Sequence, residues 1–343
     1  MNKPIQLPSI NSVSENVNRP FWSVMIPTYN GTKYLEQTLK SILVQDPGPD
    51  EMQIEVVDDC STKDDPEELV KDIGQGRISF FRNPQNVGLL PNWDTCIRRA
   101  NGHWVHILHQ DDIVLPGFYN SLKNAAQADI SVGAAFCRYM HMDEDGHWID
   151  ISTLERKTPG ILENWLEQIA VKQRIQFASI VVKRSTYETL RGFCPEAASA
   201  ADWEMWKRIS AHYPIWYEPQ PLACYRLHSA SETSQLVKLG KNIADSRESI
   251  EISKSYLPES IAQKVSIKAR KFYADYALDS AQYMLFTGNK TTAINQIQEA
   301  FKCRFSLPVI MKTIEIFRSY TIWYTYMSLK EIRQNIYKFA KNN

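Results

Sequence analysis

Apolar residues in the first part of the chain come as short bursts, each followed by a stretch in which they recur every three or four positions. Ser23-Val24-Met25-Ile26 is one burst, closed by Pro27, and Leu35, Leu39, Ile42 and Leu43 follow at helical spacing. Ile54 to Val57 is a second burst. Asp65-Pro66-Glu67-Glu68 then predicts a helix start, with a capping Asp, a Pro in the first turn and acids on the positive end of the dipole. Ile78 to Phe81 reads as a third strand, and Trp93, Cys96, Ile97 and Ala100 share one helix face. Trp104 to Leu108 is a fourth strand that runs straight into Gln110-Asp111-Asp112.

Past residue 130 the alternation loosens. Val132–Phe136, Phe177–Val182 and Leu222–Arg226 read as strands, Ile161–Val171 and Asp202–His212 as helices. From about residue 236 the pattern is helical throughout. Tyr273, Ala277, Ala281 and Leu285 precede a Gly288-Asn289 break, and Ala293, Ile297 and Ala300 follow it, which predicts a helical hairpin. The chain divides on this reading into a flexible leader (1–20), an α/β domain (21–235) and a helical C-terminal region (236–343).

Repeated strand–helix units imply a mostly parallel, right-handed sheet covered by helices, and ligands of such sheets sit beyond the carboxyl ends of the strands. The polar clusters Tyr29-Asn30, Asp58-Asp59 and Asp111-Asp112 fall at those ends. Three apolar strands thus empty into polar residues on one rim.

Charge narrows the partners. Lys plus Arg and Asp plus Glu number 39 each, so no whole-chain field attracts a polyanion, and nucleic acid is not expected as a partner. The six cysteines are scattered without a C-x-x-C pair, which suits a reducing compartment in a chain of this size. The first residues are polar with no apolar core of a signal peptide, and no apolar run of about 18 residues is long enough to cross a bilayer. These features predict a cytoplasmic protein.

Several residues carry candidate chemistry, each with a plainer alternative. Asp58-Asp59 beside Ser61 suits contacts to a base or ribose, and equally a turn that favours Asp and Ser. Two adjacent carboxylates at Asp111-Asp112 repel one another unless a cation sits between them, and a hard divalent ion that also touches diphosphate oxygens answers that need. The alternative is a turn leading to Pro116-Gly117. Asp202 opens an amphipathic helix, where an N-terminal capping residue is the plainer reading. His228 is a metal or phosphate contact, or a structural histidine.

Six motifs occur in order: Ser23-Val24-Met25-Ile26-Pro27-Thr28-Tyr29-Asn30, Val56-Val57-Asp58-Asp59-Cys60-Ser61-Thr62, Asn86-Val87-Gly88, Asp111-Asp112, Asp202-Trp203 and Tyr225-Arg226-Leu227-His228. In order and spacing, residues 21–235 resemble glycosyltransferase family 2, inverting enzymes with the GT-A nucleotide-sugar-binding fold. The resemblance implies a Rossmann-like sheet with a C-terminal all-α appendage. It implies nucleotide contacts at Pro27, Thr28, Tyr29, Asp58, Asp59 and Asp111, a Mn2+ or Mg2+ site at Asp111, Asp112 and His228, and a catalytic base at Asp202. Two positions depart from the family pattern: His109 stands where an Asp often opens the acidic motif, and Ala201 where Glu often precedes the base.

The implied reaction moves a sugar from a nucleotide-sugar donor, a UDP-sugar by expectation, to an acceptor hydroxyl, with saccharides or lipid-linked saccharides as acceptors. Surface polysaccharide or glycoconjugate synthesis is the expected setting. A nucleotidyltransferase is a weaker alternative, since Pro27–Thr32 is not the Gly-rich basic loop such enzymes carry, and a catalytically impaired sugar-nucleotide-binding module is another. From residue 301 onward eight Lys and Arg face two Glu, around an aromatic run Tyr320–Met327. That combination suits peripheral contact at the inner face of a membrane, or the apolar face of a packed helix.

Overall fold

The computed structural model describes residues 5–14, 18–229 and 231–342. The α/β part runs β1 (Trp22–Thr28), α1 (Thr32–Leu43), β2 (Met52–Asp58), α2 (Pro66–Gly74), β3 (Ser79–Arg82), α3 (Leu89–Arg99), β4 (Trp104–Ile107), β5 (Ile113–Val114) and α4 (Phe118–Ala128). It continues with β6 (Ala134–Met142), β7 (Trp148–Ile151), β8 (Gly160–Ile161), α5 (Trp165–Ile169), β9 (Ile180–Lys183), α6 (Arg184–Leu190), α7 (Ala201–His212) and β10 (Ile215–Arg226). Five helices follow: α8 (Glu232–Leu239), α9 (Lys241–Ser253), α10 (Glu259–Phe286), α11 (Lys290–Cys303) and α12 (Leu307–Asn342).

The ten strands form one sheet in the order β3-β2-β1-β4-β9-β6-β10-β5, with β7 beside β6 and β8 beside β10. The first four are parallel, and β6 and β10 are parallel to each other; β9 runs antiparallel between β4 and β6. The fold is thus a mostly parallel, helix-covered sheet. Alternation along the strands builds two cores. Val24, Ile26, Ile54 and Val56 meet Leu35, Leu39 and Ile42 of α1 and Phe118 and Leu122 of α4, while Met25, Val57 and Val105 point to the other face with Trp93 of α3 and Met205 and Trp206 of α7. Burying each such side chain contributes ~1.5–3 kcal/mol, an upper estimate.

The start of α2 behaves as its residues require: Asp65 accepts from the Glu67 N–H at 3.1 Å, with Pro66 at the first position. Other expectations need correction. The 161–171 helix shrinks to α5, because Gly160 and Ile161 pair with Tyr217 and Trp216 of β10 instead. The 177–182 strand begins as a single 3-10 turn, Phe177–Ser179, and only then joins the sheet. The described part of the leader is laid on the domain: Ile10 is buried, Gly192 N–H donates to Pro8 O at 2.8 Å, and Arg184 Nη2 donates to Asn11 O at 3.1 Å.

The C-terminal helices are not detached from the sheet. Ile243, Ile250, Ala269 and Tyr273 join the same apolar cluster as Trp203 and Met205 of α7. The α10–α11 hairpin turns at Gly288, whose φ of 86° is a conformation favouring glycine. α12 buries Val309 and Ile316 but leaves Met311, Ile314, Phe317, Ile322, Tyr324 and Tyr326 exposed.

Candidate active site

The carboxyl ends of β1, β2, β4, β6 and β10 lie on one rim, and the chain leaves each through polar residues. At the end of β1, Pro27 and Thr28 are buried, and Thr28 O accepts the Asp59 N–H at 2.8 Å. Tyr29 is 44% exposed, which leaves its ring free as a flat surface at the rim. Its backbone N–H donates to Gln110 Oε1 at 2.9 Å, tying the β1 loop to the β4 loop. That approach needs Gly31, since a Cβ there would lie 2.0 Å from the Gln110 side chain. Asn30, with φ of 48°, accepts the Thr62 and Lys63 N–H groups at 2.9 Å each through Oδ1.

The Asp58-Asp59 pair faces into the protein. Asp58 is fully buried; its oxygens accept the Ser61 hydroxyl at 2.5 Å, the Ser61 N–H at 3.1 Å and Arg82 Nε at 2.6 Å. Asp59 Oδ1 accepts Asn83 Nδ2 at 3.0 Å and the Val87 N–H at 2.9 Å, and Oδ2 accepts the Gly88 N–H at 2.9 Å. Every oxygen of the pair is engaged by protein donors. Both carboxylates fix the loops around that end of the rim, and Asn86-Val87-Gly88 is the segment Asp59 holds.

The second pair differs. Asp112 is fully buried; Oδ1 accepts the Arg226 N–H at 2.9 Å, while Oδ2 has no partner among the described residues. Burial first, and the neighbouring Asp111 second, push the Asp112 carboxyl well above the usual range. His109, Asp111 and Asp112 each bring a ligand atom into one group whose members lie within 4.8 Å of each other. The buried His109 Nε2 also has no hydrogen-bond partner there, and the ring stacks on Trp93 with centroids 5.4 Å apart. Burial lowers the His109 pKa, which leaves the imidazole neutral and able to donate a lone pair.

Two carboxylates, a neutral imidazole and two orphaned buried atoms make a donor set that fits a hard or borderline divalent cation. His228, expected as a ligand, stands one step back: its Nε2 lies 2.9 Å from Asp111 Oδ2, so it orients that carboxylate. Arg226 braces the same corner. Nε donates to Asp111 O at 2.9 Å, Nη2 donates to Gln37 Oε1 at 2.7 Å, and the guanidinium lies 4.3 Å from the Tyr34 ring centre.

Asp202 occupies the first turn of α7, partly buried. Oδ2 accepts Gln173 Nε2 at 2.7 Å and Oδ1 accepts the Trp203 N–H at 2.5 Å. Burial, only partly offset by these donors, raises its pKa to about 7. The Tyr225 phenol, raised chiefly by burial, also senses Asp112, Asp111 and Asp202.

Sequence reasoning took His109 only as a departure from the acidic motif, and it assigned no role to Arg226, Tyr34 or Gln173. A charged residue inside the last apolar strand was a usable signal for Arg226; nothing local marked Gln173.

Residues 23–186 match the model of Glycosyl transferase family 2. An uncharacterized protein of Mycobacterium tuberculosis is 29% identical over 253 residues, covering 68% of this chain and 75% of that protein. An uncharacterized glycosyltransferase of Methanocaldococcus jannaschii is 25% identical over 201 residues, covering 57% of this chain and 67% of its own length. Among solved structures, TarS of S. aureus in complex with UDP-GlcNAc aligns with a TM-score of 0.58 at 14% identity, covering 81% of this chain and 90% of that one. The mannosyltransferase PcManGT of Pyrobaculum calidifontis, in complex with GDP-Man and Mn2+, aligns with a TM-score of 0.56 at 17% identity, covering 94% and 87%. By the matched segment and the named relatives, residues 23–186 carry a domain of the glycosyltransferase family 2 type, and the solved neighbours share its fold.

Proposed function

We propose that the protein is a metal-dependent, inverting glycosyltransferase that moves a sugar from a UDP-sugar to an acceptor hydroxyl in surface polysaccharide or glycoconjugate synthesis. The observation that carries this reading is the group of His109, Asp111 and Asp112, with its orphaned buried atoms, just past the carboxyl end of β4. The neighbours solved in complex with UDP-GlcNAc, and with GDP-Man and Mn2+, support a nucleotide-sugar donor.

The nucleobase stacks on the exposed Tyr29 ring, in a pocket shaped by Pro27 and Thr28 and held by Asp58 and Asp59. His109, Asp111 and Asp112 hold Mn2+ or Mg2+, with His228 orienting Asp111. A cation bound there supplies positive charge against the negative charge that grows on the departing diphosphate. Asp202 accepts the proton of the acceptor hydroxyl while that oxygen attacks the anomeric carbon opposite the leaving group. The bond to the diphosphate breaks as the new glycosidic bond forms, so one displacement inverts the centre. A carboxylate titrating near 7 is well matched to this task.

Incubation with UDP-glucose or UDP-GlcNAc and Mn2+ tests the reading. Release of UDP with an inverted anomer, seen by proton NMR, is expected; a retained anomer overturns the single displacement, and the absence of any turnover with either donor counts against a UDP-sugar.

We place the enzyme in the cytoplasm, peripherally at the inner face of the membrane. No helix among the described residues is long and apolar enough to cross a membrane, so contact is by lying on the surface. The support is the exposed apolar and aromatic face of α12, where Arg318 lies exposed among Ile314, Phe317 and Ile322. Lys and Arg contribute about 1 kcal/mol each beside an anionic leaflet. Co-sedimentation with anionic vesicles at low salt is expected; protein that stays in the supernatant contradicts this placement.

A further inference from the structure

Strands β1 and β4 are neighbours that separate at the rim. Their parallel ladder runs from Trp22 beside Trp104 to Met25 beside Ile107, with a last backbone bond from the Leu108 N–H to Met25 O at 3.0 Å. On its other side β1 stays paired with β2 to its final residue, Thr28 beside Asp58. In the order β3-β2-β1-β4 the chain builds outward from β1 on one side and then returns to the other. The loops after β1 and β4 therefore diverge, and such a divergence opens the crevice where sheets of this kind take their ligands.

Gln110 spans that crevice with its side chain. Its Oε1 accepts the Tyr29 N–H at 2.9 Å and its Nε2 donates to Tyr29 O at 3.4 Å, engaging the backbone edge that a longer β4 would have taken. The root of Gln110 is fixed as well: the buried Thr38 hydroxyl on α1 shares its proton between Gln110 O at 2.9 Å and Asp112 O at 2.8 Å. On the far side, the Asn30 N–H donates to Ser61 Oγ at 2.8 Å, and Ser61 is held by Asp58. The backbone around Tyr29 is thus gripped from both sides while the residue stays 44% exposed.

Gly31 leaves room for this arrangement. A Cβ there would lie 2.0 Å from Gln110 Cδ and Oε1 and 2.2 Å from Nε2. The Gly31 φ of −133° is open to any residue, so the Gln110 carboxamide, and not the turn, calls for glycine.

We propose that Gln110 is a positioning residue for the donor nucleotide: it bridges the β1–β4 crevice and so fixes the span from the Tyr29 ring, which takes the base, to the Asp111 and Asp112 carboxylates, which take the metal and diphosphate. Gln110 directly precedes Asp111, so one short segment serves both ends of the nucleotide. This role rests on the proposed stacking of the base on Tyr29.

Titration calorimetry of the full-length protein with Mn2+ tests it, using UDP and, as a ligand without a base, inorganic pyrophosphate. Gln110→Ala should weaken UDP by about fivefold or more and leave pyrophosphate within about twofold. Gly31→Ala puts a methyl group where the carboxamide lies and pushes it out, so UDP should weaken to the same extent. That variant also serves if Gln110→Ala does not fold. The double variant should bind UDP no more weakly than Gln110→Ala alone, because the side chain that the methyl displaces is already gone. UDP affinity unchanged in Gln110→Ala, or losses from the two changes that simply add, overturns the proposal. So does an equal loss for UDP and pyrophosphate, since Gln110 would then act on the metal carboxylates and not on the base. Tyr29→Ala tells the two claims apart. If UDP weakens there but not in Gln110→Ala, the base site stands and the role of Gln110 falls; if Tyr29→Ala leaves UDP unchanged, the stacking itself falls.

Discussion

Asp58-Asp59 after β2 and Asp111-Asp112 after β4 are the same dipeptide on the same rim, one strand apart across β1. At the first pair all the oxygens are taken up inside the protein, by Ser61, Arg82, Asn83 and the Val87 and Gly88 amides. The second leaves a buried Asp112 oxygen without a partner and pushes that carboxyl well above its usual range. A satisfied carboxylate stabilises the loops around it, whereas an unsatisfied buried one adds nothing to stability until something cationic arrives. The first pair is tied into the protein on every oxygen, and the second keeps a buried oxygen free of partners among the described residues.

Substitutions can break that contrast. The largest effect is expected at the carboxylate outside both pairs: Asp202→Asn cannot take the acceptor proton and should lower the transfer rate by ~10²–10⁴-fold with donor binding kept. Rates within about threefold of wild type, on this same scale, would sink its role as base. The acidic side of the wild-type profile belongs to the same group. Its pKa is raised to about 7, so transfer should rise with pH through that value. For stability the sign is opposite. The folded state holds the Asp202 proton more tightly than the unfolded chain, so this group's contribution declines as pH climbs from about 4 to about 7 and is level above.

Next comes Asp112→Asn. Metal-stimulated turnover should fall by about 10²-fold or more, while the melting temperature holds or rises, because the amide still accepts the Arg226 N–H and a buried like charge is gone. A large drop in melting temperature would show that Asp112 is structural after all. Asp59→Ala should do the reverse. It strands two backbone donors and Asn83, costing about 2–3 kcal/mol in denaturant unfolding, with activity lost only as the fold is lost. The smallest effect is Arg82→Ala, about 1 kcal/mol or less, because Arg82 is 36% exposed and Ser61 still holds Asp58.

Much of this was legible in the chain. Strand bursts emptying into Tyr29-Asn30, Asp58-Asp59 and Asp111-Asp112 located the rim, and Asp65-Pro66 located a helix start, because those signals are local. The contrast between the pairs was not legible, since it depends on where Asn83, Val87 and Arg82 end up, 24 to 28 residues away in sequence. His109 looked like a defect in an acidic motif; in space its nitrogen joins the carboxylates. The antiparallel entry of β9 and the shortening of the 161–171 helix were set by pairing with distant strands, which overrides local preference.

The central claim, that Asp111 and Asp112 face a divalent cation carrying the nucleotide diphosphate, is tested most directly by titration calorimetry of UDP into the wild-type protein with Mn2+ and with excess EDTA. Binding with Mn2+ that weakens by about tenfold or more in EDTA, a difference of about 1.4 kcal/mol, is the expected result. Equal affinity under both conditions would contradict the account.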